Sequence, residues 1–206
     1  MRGGHHRDVL ILVAGAHRID EFPDDVAVRG HLQQAAAVGF FEAMLESEYH
    51  GRRLAKHLSY QLADLRSQIV RVVCGVLGEV GREHGRAVAP LVVGVMPQLL
   101  KNLYVSVKAI SASSHETALE LASIAPTDKL LSCLLANAAD SHHQTRRGAA
   151  ECLAVVMRSR DAPLSAAQVN NLLKSLLVST ADADPTVRGA AAKLFWLVHG
   201  AAPAKA

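Results

Sequence analysis

The chain has 206 residues, of which 50% are hydrophobic, 4% aromatic and 20% charged, and its formal net charge is +3. This length suits one domain or a short repeat array, and the composition argues against extensive disorder. Apolar content dominated by alanine, leucine and valine favours close helix packing over a β-sandwich. Acids interleave with bases, so the chain lacks the dense basic face that is typical of nucleic-acid-binding proteins.

Apolar residues recur at helical spacing along nearly the whole chain, and no segment shows the period-two alternation of a strand. No apolar run approaches the roughly 18 residues that span a bilayer, which predicts no membrane partner. In chain order, the predicted helices span residues 8–18, 25–47, 49–62, 65–83, 87–101, 104–124, 127–139, 143–159, 165–180 and 184–200.

Several helix boundaries carry their own signals. Ser165 is expected to cap the helix that follows it, and Asp128 to cap the preceding one. Pro97 falls inside the apolar pattern of residues 91–102 and should kink that helix. The only tryptophan, Trp196, lies within the last helix and is interpreted as a core residue.

A motif with a basic residue at the head of an apolar helix recurs with spacings of 42, 37, 39 and 41 residues. A helix pair with a period near 40 is typical of HEAT repeats, whose stacked pairs share one continuous core. We therefore expect an all-α HEAT-repeat α-solenoid, with residues 1–200 as a single domain and 201–206 as a loose tail. The repeated basic residues are Arg29, Arg71, Lys108, Arg147 and Arg188.

These basic residues have two interpretations. In the structural one they form a stacking ladder, and each reaches an acid or a helix-end carbonyl in its own or the adjacent repeat. In the functional one, the loop ends of successive repeats line up along one edge about every 10 Å, as helix packing distances imply. Such an edge suits an extended protein surface. The loop residues Arg66, Asn102 and Arg146 are then better binding candidates than the ladder.

The remaining chemically active residues form no recognisable site. Cys74, Cys133 and Cys152 lie in apolar helical patterns without a CxxC motif, so we interpret them as small buried residues in a reducing compartment. His115 lacks a second histidine four residues later, and the adjacent His142 and His143 are expected to be solvated. No nucleotide-binding or hydrolase motif is present. We therefore predict no enzymatic activity, no cofactor and no metal.

The segment DLRSQIVRVVCGVLGEV at 64–80 resembles the second-repeat signature of TOG domains of the CLASP family. In that signature an acid-leucine-arginine-serine-glutamine run precedes an arginine and a cysteine. LLKN at 99–102, the pair Arg146-Arg147, and DADPTVRGAAAKLFWLVH at 182–199 resemble later repeats of the same domains. The residues that match the signature are Asp64, Leu65, Arg66, Ser67, Gln68, Arg71 and Cys74.

The resemblance implies a flat, paddle-like array of five to six helix pairs that binds tubulin through its intra-repeat loops and regulates microtubule dynamics. It also implies a monomeric domain in the cytoplasm on the microtubule cytoskeleton, with spindle and flagellar or ciliary structures among the candidates. Val26 stands where the family commonly presents a tryptophan. The alternative is a HEAT scaffold that binds a non-tubulin protein. The implied tubulin-binding residues are Val26, Leu65, Arg66, Asn102, Arg146, Asp184 and Arg188.

Overall fold

The computed structural model describes residues 48–201, and the regular elements in this range are helices. The eight helices predicted for this range are confirmed, with ends that differ by at most four residues. The predicted helices at 8–18 and 25–47 lie outside the described residues, as do Val26 and Arg29. The α-helices are α1 Glu48–Leu62, α2 Ser67–His84, α3 Ala89–Lys101, α4 Lys108–Ile124, α5 Asp128–Asn137, α6 His143–Ser159, α7 Ala166–Thr180 and α8 Pro185–Ala201.

Consecutive helices form antiparallel pairs that stack into two layers. Helices α1, α3, α5 and α7 contact one another in that order, and α2, α4, α6 and α8 form the second layer. The loops within the four described pairs therefore lie on the same side of the array. We call this side the loop edge; it comprises residues 63–66, 102–107, 138–142 and 181–184. The expected all-α repeat solenoid is confirmed for this part of the chain.

The core lies between the two layers and is built from apolar residues at helical spacing. Val73 and Leu77 of α2 and Leu99 of α3 are representative, each almost fully buried. Cys74 and Cys152 are buried and Cys133 is half-buried, all as free thiols. Burial raises the pKa of the Cys152 thiol to about 12, so it behaves as a small apolar residue.

Two predicted caps have different outcomes. Ser165 does cap α7 with a capping box, in which Ser165 and Gln168 satisfy each other's backbone amides. The prediction for Asp128 is wrong, because the Oγ1 of Thr127 accepts the Leu130 amide at 3.3 Å. Asp128 is the first residue of α5 and accepts a hydrogen bond from Arg160 Nη2 at 2.9 Å instead.

The interpretation of Trp196 as a core residue is wrong, because it is 69% exposed. The buried side of α8 carries Ala191, Leu194 and Val198, and Trp196 lies on the opposite side of the helix. Its ring packs edge-on against that of Phe195, with centroids 5.5 Å apart. The sequence pattern shows that an apolar residue lies in a helix, but it does not show whether another helix packs on that side of it.

One stretch, Ser67–Tyr104, meets the length and composition criteria of a membrane-spanning helix, with a mean hydropathy of 1.2 over 18 residues. It is not one continuous α-helix, since 3₁₀ turns follow both α2 and α3, at Gly85–Val88 and Asn102–Tyr104. Gly85 adopts a φ of 55°, which reverses the chain there. The apolar residues of this stretch form much of the core between the layers.

Candidate functional site

The loop edge is continuous, because each described loop contacts the next. Asn102 Nδ2 of the second loop donates to the Leu62 carbonyl, beside the first loop, at 2.9 Å. The rings of Tyr104 and His142 stack with centroids 3.9 Å apart, which joins the second loop to the third. Arg146 and Asp182 then join the third to the fourth. The loops therefore hold one another in register.

An aspartate organises three of these four loops. It lies three residues before the first residue of the pair's second helix and accepts the backbone amide of the residue two positions later, a geometry that aspartate favours. The bonds run from the Arg66 amide to Asp64 at 2.8 Å, from the His142 amide to Asp140 at 2.8 Å, and from the Asp184 amide to Asp182 at 2.9 Å.

The first loop presents two predicted binding residues to solvent. Leu65 is 82% exposed, and the Arg66 side chain is 74% exposed. Arg66 donates to Asp64 through Nε at 3.0 Å and Nη2 at 2.7 Å. This guanidinium lowers the pKa of Asp64 to about 2. A partner surface can reach both Leu65 and Arg66.

The expectation that Asn102 contacts a partner is wrong, because its side chain is buried and only 2% exposed. Besides donating to the Leu62 carbonyl, Asn102 Nδ2 donates to Ser114 Oγ at 3.0 Å. Its Oδ1 accepts from Gln98 Nε2, also at 3.0 Å. Asn102 therefore satisfies a carbonyl at the end of α1 and ties that end to the second helix pair.

Arg146 also makes contacts within the array, and its predicted binding role stays a prediction. Its side chain is 20% exposed and donates from Nε and Nη2 to the two carboxylate oxygens of Asp182 at 2.7 and 2.9 Å. Nη1 donates to the carbonyls of Asp140 and Ser141 at 3.0 and 2.8 Å. The guanidinium is thus held between two repeats.

The described residues of the predicted ladder do not share one position in their helices. Arg146 and Arg188 are each the fourth residue of their helix, 42 positions apart, whereas Arg147 lies one residue later. One residue turns a helix by about 100°, so the fourth and fifth positions face different directions. Arg71, also a fifth residue, is exposed, and Lys108 is exposed at the start of α4. Arg147 is half-buried, and its Nε lies 3.6 Å from Oε1 of Glu151, an acid of its own repeat.

Asp184 belongs to the fourth described loop, and Arg188 lies in the first turn of α8 that follows it. Arg188 is exposed, and its Nη1 donates to the carbonyls of Asp182 and Ala183 in the preceding loop at 2.7 and 2.9 Å. Asp184 caps α8 by accepting the amides of Thr186 and Val187 at 2.8 and 3.3 Å. Asp184 therefore lies on the loop edge, where its carboxylate holds the first turn of α8.

The sequence matches the family model described as CLASP N terminal over residues 26–206. The chain belongs to the CLASP N-terminal family. A curated relative, Protein CLASP-2 of Caenorhabditis briggsae, is 27% identical over 146 residues, which cover 69% of this chain and 18% of the relative. The match to this CLASP-family domain thus spans less than a fifth of that relative's length.

Two solved structures are similar to this CLASP-family domain at 13% identity each. One is an engineered protein, with a TM-score of 0.42, and the match covers 96% of this chain and 89% of that one. The other is a designed armadillo repeat protein in complex with the peptide (KR)4, with a TM-score of 0.44, and the match covers 95% of this chain and 82% of that one.

The second loop of this CLASP-family domain exposes residues that the sequence analysis did not select for binding. Lys101 and Lys108 are exposed at its two ends, and Tyr104 and Val107 are partly exposed between them. An aromatic and a β-branched residue in a loop, flanked by lysines, could have indicated this surface. With the first loop they form what we call the basic–apolar patch: Leu65, Arg66, Lys101, Tyr104, Val107 and Lys108.

The rest of the described surface offers weaker candidates. Among residues 48–201, no group of three or more histidine, cysteine, aspartate or glutamate side chains is placed to hold a metal ion. A cavity of about 640 Å³ opens opposite the loop edge, lined in part by Arg52, Arg86 and Lys129. Arg86 pairs with Asp161, and the other two cations also have partners. The loop edge therefore remains the stronger candidate for a binding site.

Proposed function

We propose that this CLASP-family domain is a non-enzymatic module that binds tubulin or microtubules through its loop edge and regulates microtubule dynamics. The observation that carries the proposal is the basic–apolar patch, which two adjacent loops present on a continuous edge. The CLASP family consists of microtubule-associated HEAT-repeat proteins, and membership in it supports the class of partner. The location proposed with this function is the cytoplasmic microtubule cytoskeleton.

The chemistry of the patch suits an acidic protein surface such as that of tubulin. Arg66, Lys101 and Lys108 supply positive charge that accelerates encounter with an acidic partner. Leu65, Tyr104 and Val107 supply apolar area that can be buried in the complex. Exposed charges are screened by salt, so we expect binding to weaken as ionic strength rises.

The buried part of the loop edge supports this function indirectly. Asn102 is buried and the Arg146–Asp182 pair is largely covered, and these side chains fix the spacing between successive loops. A binding edge assembled from separate loops requires such a rigid support, since small misplacements would prevent simultaneous contact. We therefore assign recognition to the first two described loops and alignment to these buried side chains.

Charge reversal on the patch tests the proposal. We expect Arg66→Glu combined with Lys108→Glu to weaken microtubule co-sedimentation and tubulin binding by at least about tenfold, equivalent to about 1.4 kcal/mol. Lys174→Glu, on an exposed position in the middle of α7, is the matched control and should bind as the wild type does. Circular dichroism should show that all variants remain folded.

The second candidate function is a scaffold that binds a non-tubulin protein through an apolar helical face. It is favoured by exposed Leu177 and Trp196 on the last helix pair. If the wild-type chain binds neither tubulin dimers nor microtubules at low ionic strength, the tubulin proposal is wrong and this candidate takes its place. Equal binding by the loop variant and the Lys174→Glu control would contradict the assignment of the patch.

A further inference from the structure

Helix α3 is apolar on the side that faces away from the core as well as on the side that faces it. Its first nine residues include no polar side chain. Val92 and Val95 lie on the core side and are fully buried. Pro90, Val93 and Gly94 are spaced by three and four residues and share the other side, where Gly94 is exposed and the other two are half-buried. A helix that is apolar all round is ordinarily covered on every side.

This outer side of α3 forms the floor of the cavity of about 640 Å³ that opens opposite the loop edge. Helices α1 and α5 pack on either side of α3 and form the walls. On the α1 side the two helices approach closely, since Gly94 lies directly against Ala55. We call this cavity the α3 groove; its lining residues include Arg52, Arg86, Pro90, Val93, Gly94 and Lys129.

The rim of the α3 groove is positively charged. Arg52 lies on the α1 wall, Lys129 on the α5 wall and Arg86 in the 3₁₀ turn before α3, and all three are exposed. None of the described residues that line the groove is acidic. The N-cap residue of α3 is Val88, which has no side-chain acceptor, so the first amides of α3 add partial positive charge at this end. The groove therefore favours a negatively charged ligand.

Two acids near the groove are each paired with an arginine. Asp128 accepts a hydrogen bond from Arg160 Nη2 at 2.9 Å, and Asp161 pairs with Arg86. The Asp161 side chain is 82% exposed, and a pair this exposed contributes little stability. Arg52 and Lys129 also interact with other groups of the chain. Because these three cations lie at the surface, an incoming carboxylate can replace their present partners at little cost.

The width of the groove favours an extended peptide over a single small anion. Neighbouring helices pack about 8–10 Å apart, so the axes of α1 and α5, on either side of α3, are about 16–20 Å apart. One carboxylate or phosphate can neutralise one wall only. An extended chain rises about 3.3 Å per residue, so about five or six residues cross from Arg52 to Lys129.

We propose that the α3 groove binds an extended acidic segment of a partner protein, about five or six residues long, with an apolar side chain at its centre. The central side chain packs on Pro90 and Val93, and the acids before and after it pair with the cations of the two walls. Because the groove lies opposite the loop edge, both surfaces can be occupied at once. Binding at the groove does not depend on tubulin binding.

A synthetic peptide tests the proposal on the full chain. The probe is Glu-Asp-Leu-Asp-Glu with blocked termini and a fluorescein label, and its binding is followed by fluorescence anisotropy. We expect saturable binding at about 50 mM NaCl that weakens at about 300 mM NaCl, because exposed charges are screened. A peptide with serine in place of leucine should bind at least about tenfold more weakly, because it buries no apolar side chain on α3.

Charge reversal on the two walls tests the location of the site. Arg52→Glu combined with Lys129→Glu should weaken binding of the leucine peptide at least about tenfold. Lys174→Glu combined with Lys193→Glu is the matched control, since it makes the same change of net charge at exposed positions of α7 and α8. Both double variants should bind microtubules equally well, so a failure at the groove and a failure at the loop edge are distinguished.

Amide chemical shifts measured by NMR on the unmutated chain locate the peptide without relying on any variant. We expect the leucine peptide to shift the amides of residues 86–94 and 127–129 and to leave those of the loop edge at 102–107 unchanged. Absence of saturable binding at low salt, equal binding of the leucine and serine peptides, or shifts at the loop edge instead of the groove would overturn the proposal. Displacement of the peptide by an equal concentration of inorganic tripolyphosphate would also overturn it, because the groove would then be a site for small anions.

Discussion

Arg146 and Asp182 form a cross-link between successive helix pairs. Their side chains are 20% and 8% exposed, and two hydrogen bonds join them. The Arg146 guanidinium lowers the pKa of Asp182 to about 2, with a further contribution from the backbone amide of Asp184. Because the carboxylate is more acidic in the folded chain than in the unfolded one, its ionisation contributes to stability.

We expect Asp182→Asn to lower the free energy of unfolding by about 2 kcal/mol near neutral pH, since charged hydrogen bonds are lost. The contribution of Asp182 is complete above its ordinary pKa of 3.8 and is lost as pH falls from there towards about 2. The difference between wild type and variant should therefore be smaller at low pH.

Urea denaturation at neutral pH and at a pH between the two pKa values of Asp182 measures this difference. Asp161→Asn is the control, because Asp161 pairs with Arg86 on a largely exposed surface where ion pairs contribute little. A difference between wild type and Asp182→Asn that is the same at both pH values would contradict the assigned role of the ionised carboxylate.

At the scale of single helices, two glycines in the interior of α-helices have opposite surroundings. Gly94 of α3 lies directly against Ala55 of α1, and a Cβ on Gly94 would collide with the Ala55 side chain. Gly189 of α8 has no atom near the place of its missing Cβ. Neither has the positive φ seen at Gly85, so the space around each residue decides the effect of substitution.

We expect Gly94→Ala to destabilise the chain by about 1–3 kcal/mol, because the two helices must move apart. Gly189→Ala should stabilise it by about 0.5–1 kcal/mol, because alanine favours the helix and meets no neighbour. Equilibrium chemical denaturation of the two variants checks both values. If both substitutions stabilise the chain, intrinsic helix preference, and not the close approach of α1 and α3, determines the effect of Gly94→Ala on stability.

The helices and the repeat could be predicted from the sequence because apolar periodicity is a local signal. The register of the basic residues could not, since Arg146 and Arg147 are adjacent and only the phase of α6 decides which one faces the next repeat. Asn102 was misassigned for a related reason, because its burial depends on the distant carbonyl of Leu62. Leu65 and Arg66 were predicted at a loop, and the structure places both on the exposed edge.

Across the whole array, each helix pair contacts only its neighbours, so stability is a sum of local and nearest-neighbour contributions. Within the described residues, the pair α7–α8 has a neighbour on one side only, and the contact of α7 with α5 is slight. Leu177 of α7 and Trp196 of α8 are exposed to solvent. The pair should therefore open more readily than the central pair α3–α4, which is packed on both sides.

Hydrogen exchange followed by mass spectrometry tests this gradient in the native chain. We expect backbone amides of α7 to exchange at least about tenfold faster than those of α3 and α4, which corresponds to an opening free energy lower by about 1.4 kcal/mol. Arg146→Gln should accelerate exchange in α7 and α8 while leaving α1 and α2 unchanged, because it removes the cross-link to the last pair. Equal protection of α7 and α3, or acceleration spread evenly over all described helices, would instead indicate that the array unfolds as one cooperative unit.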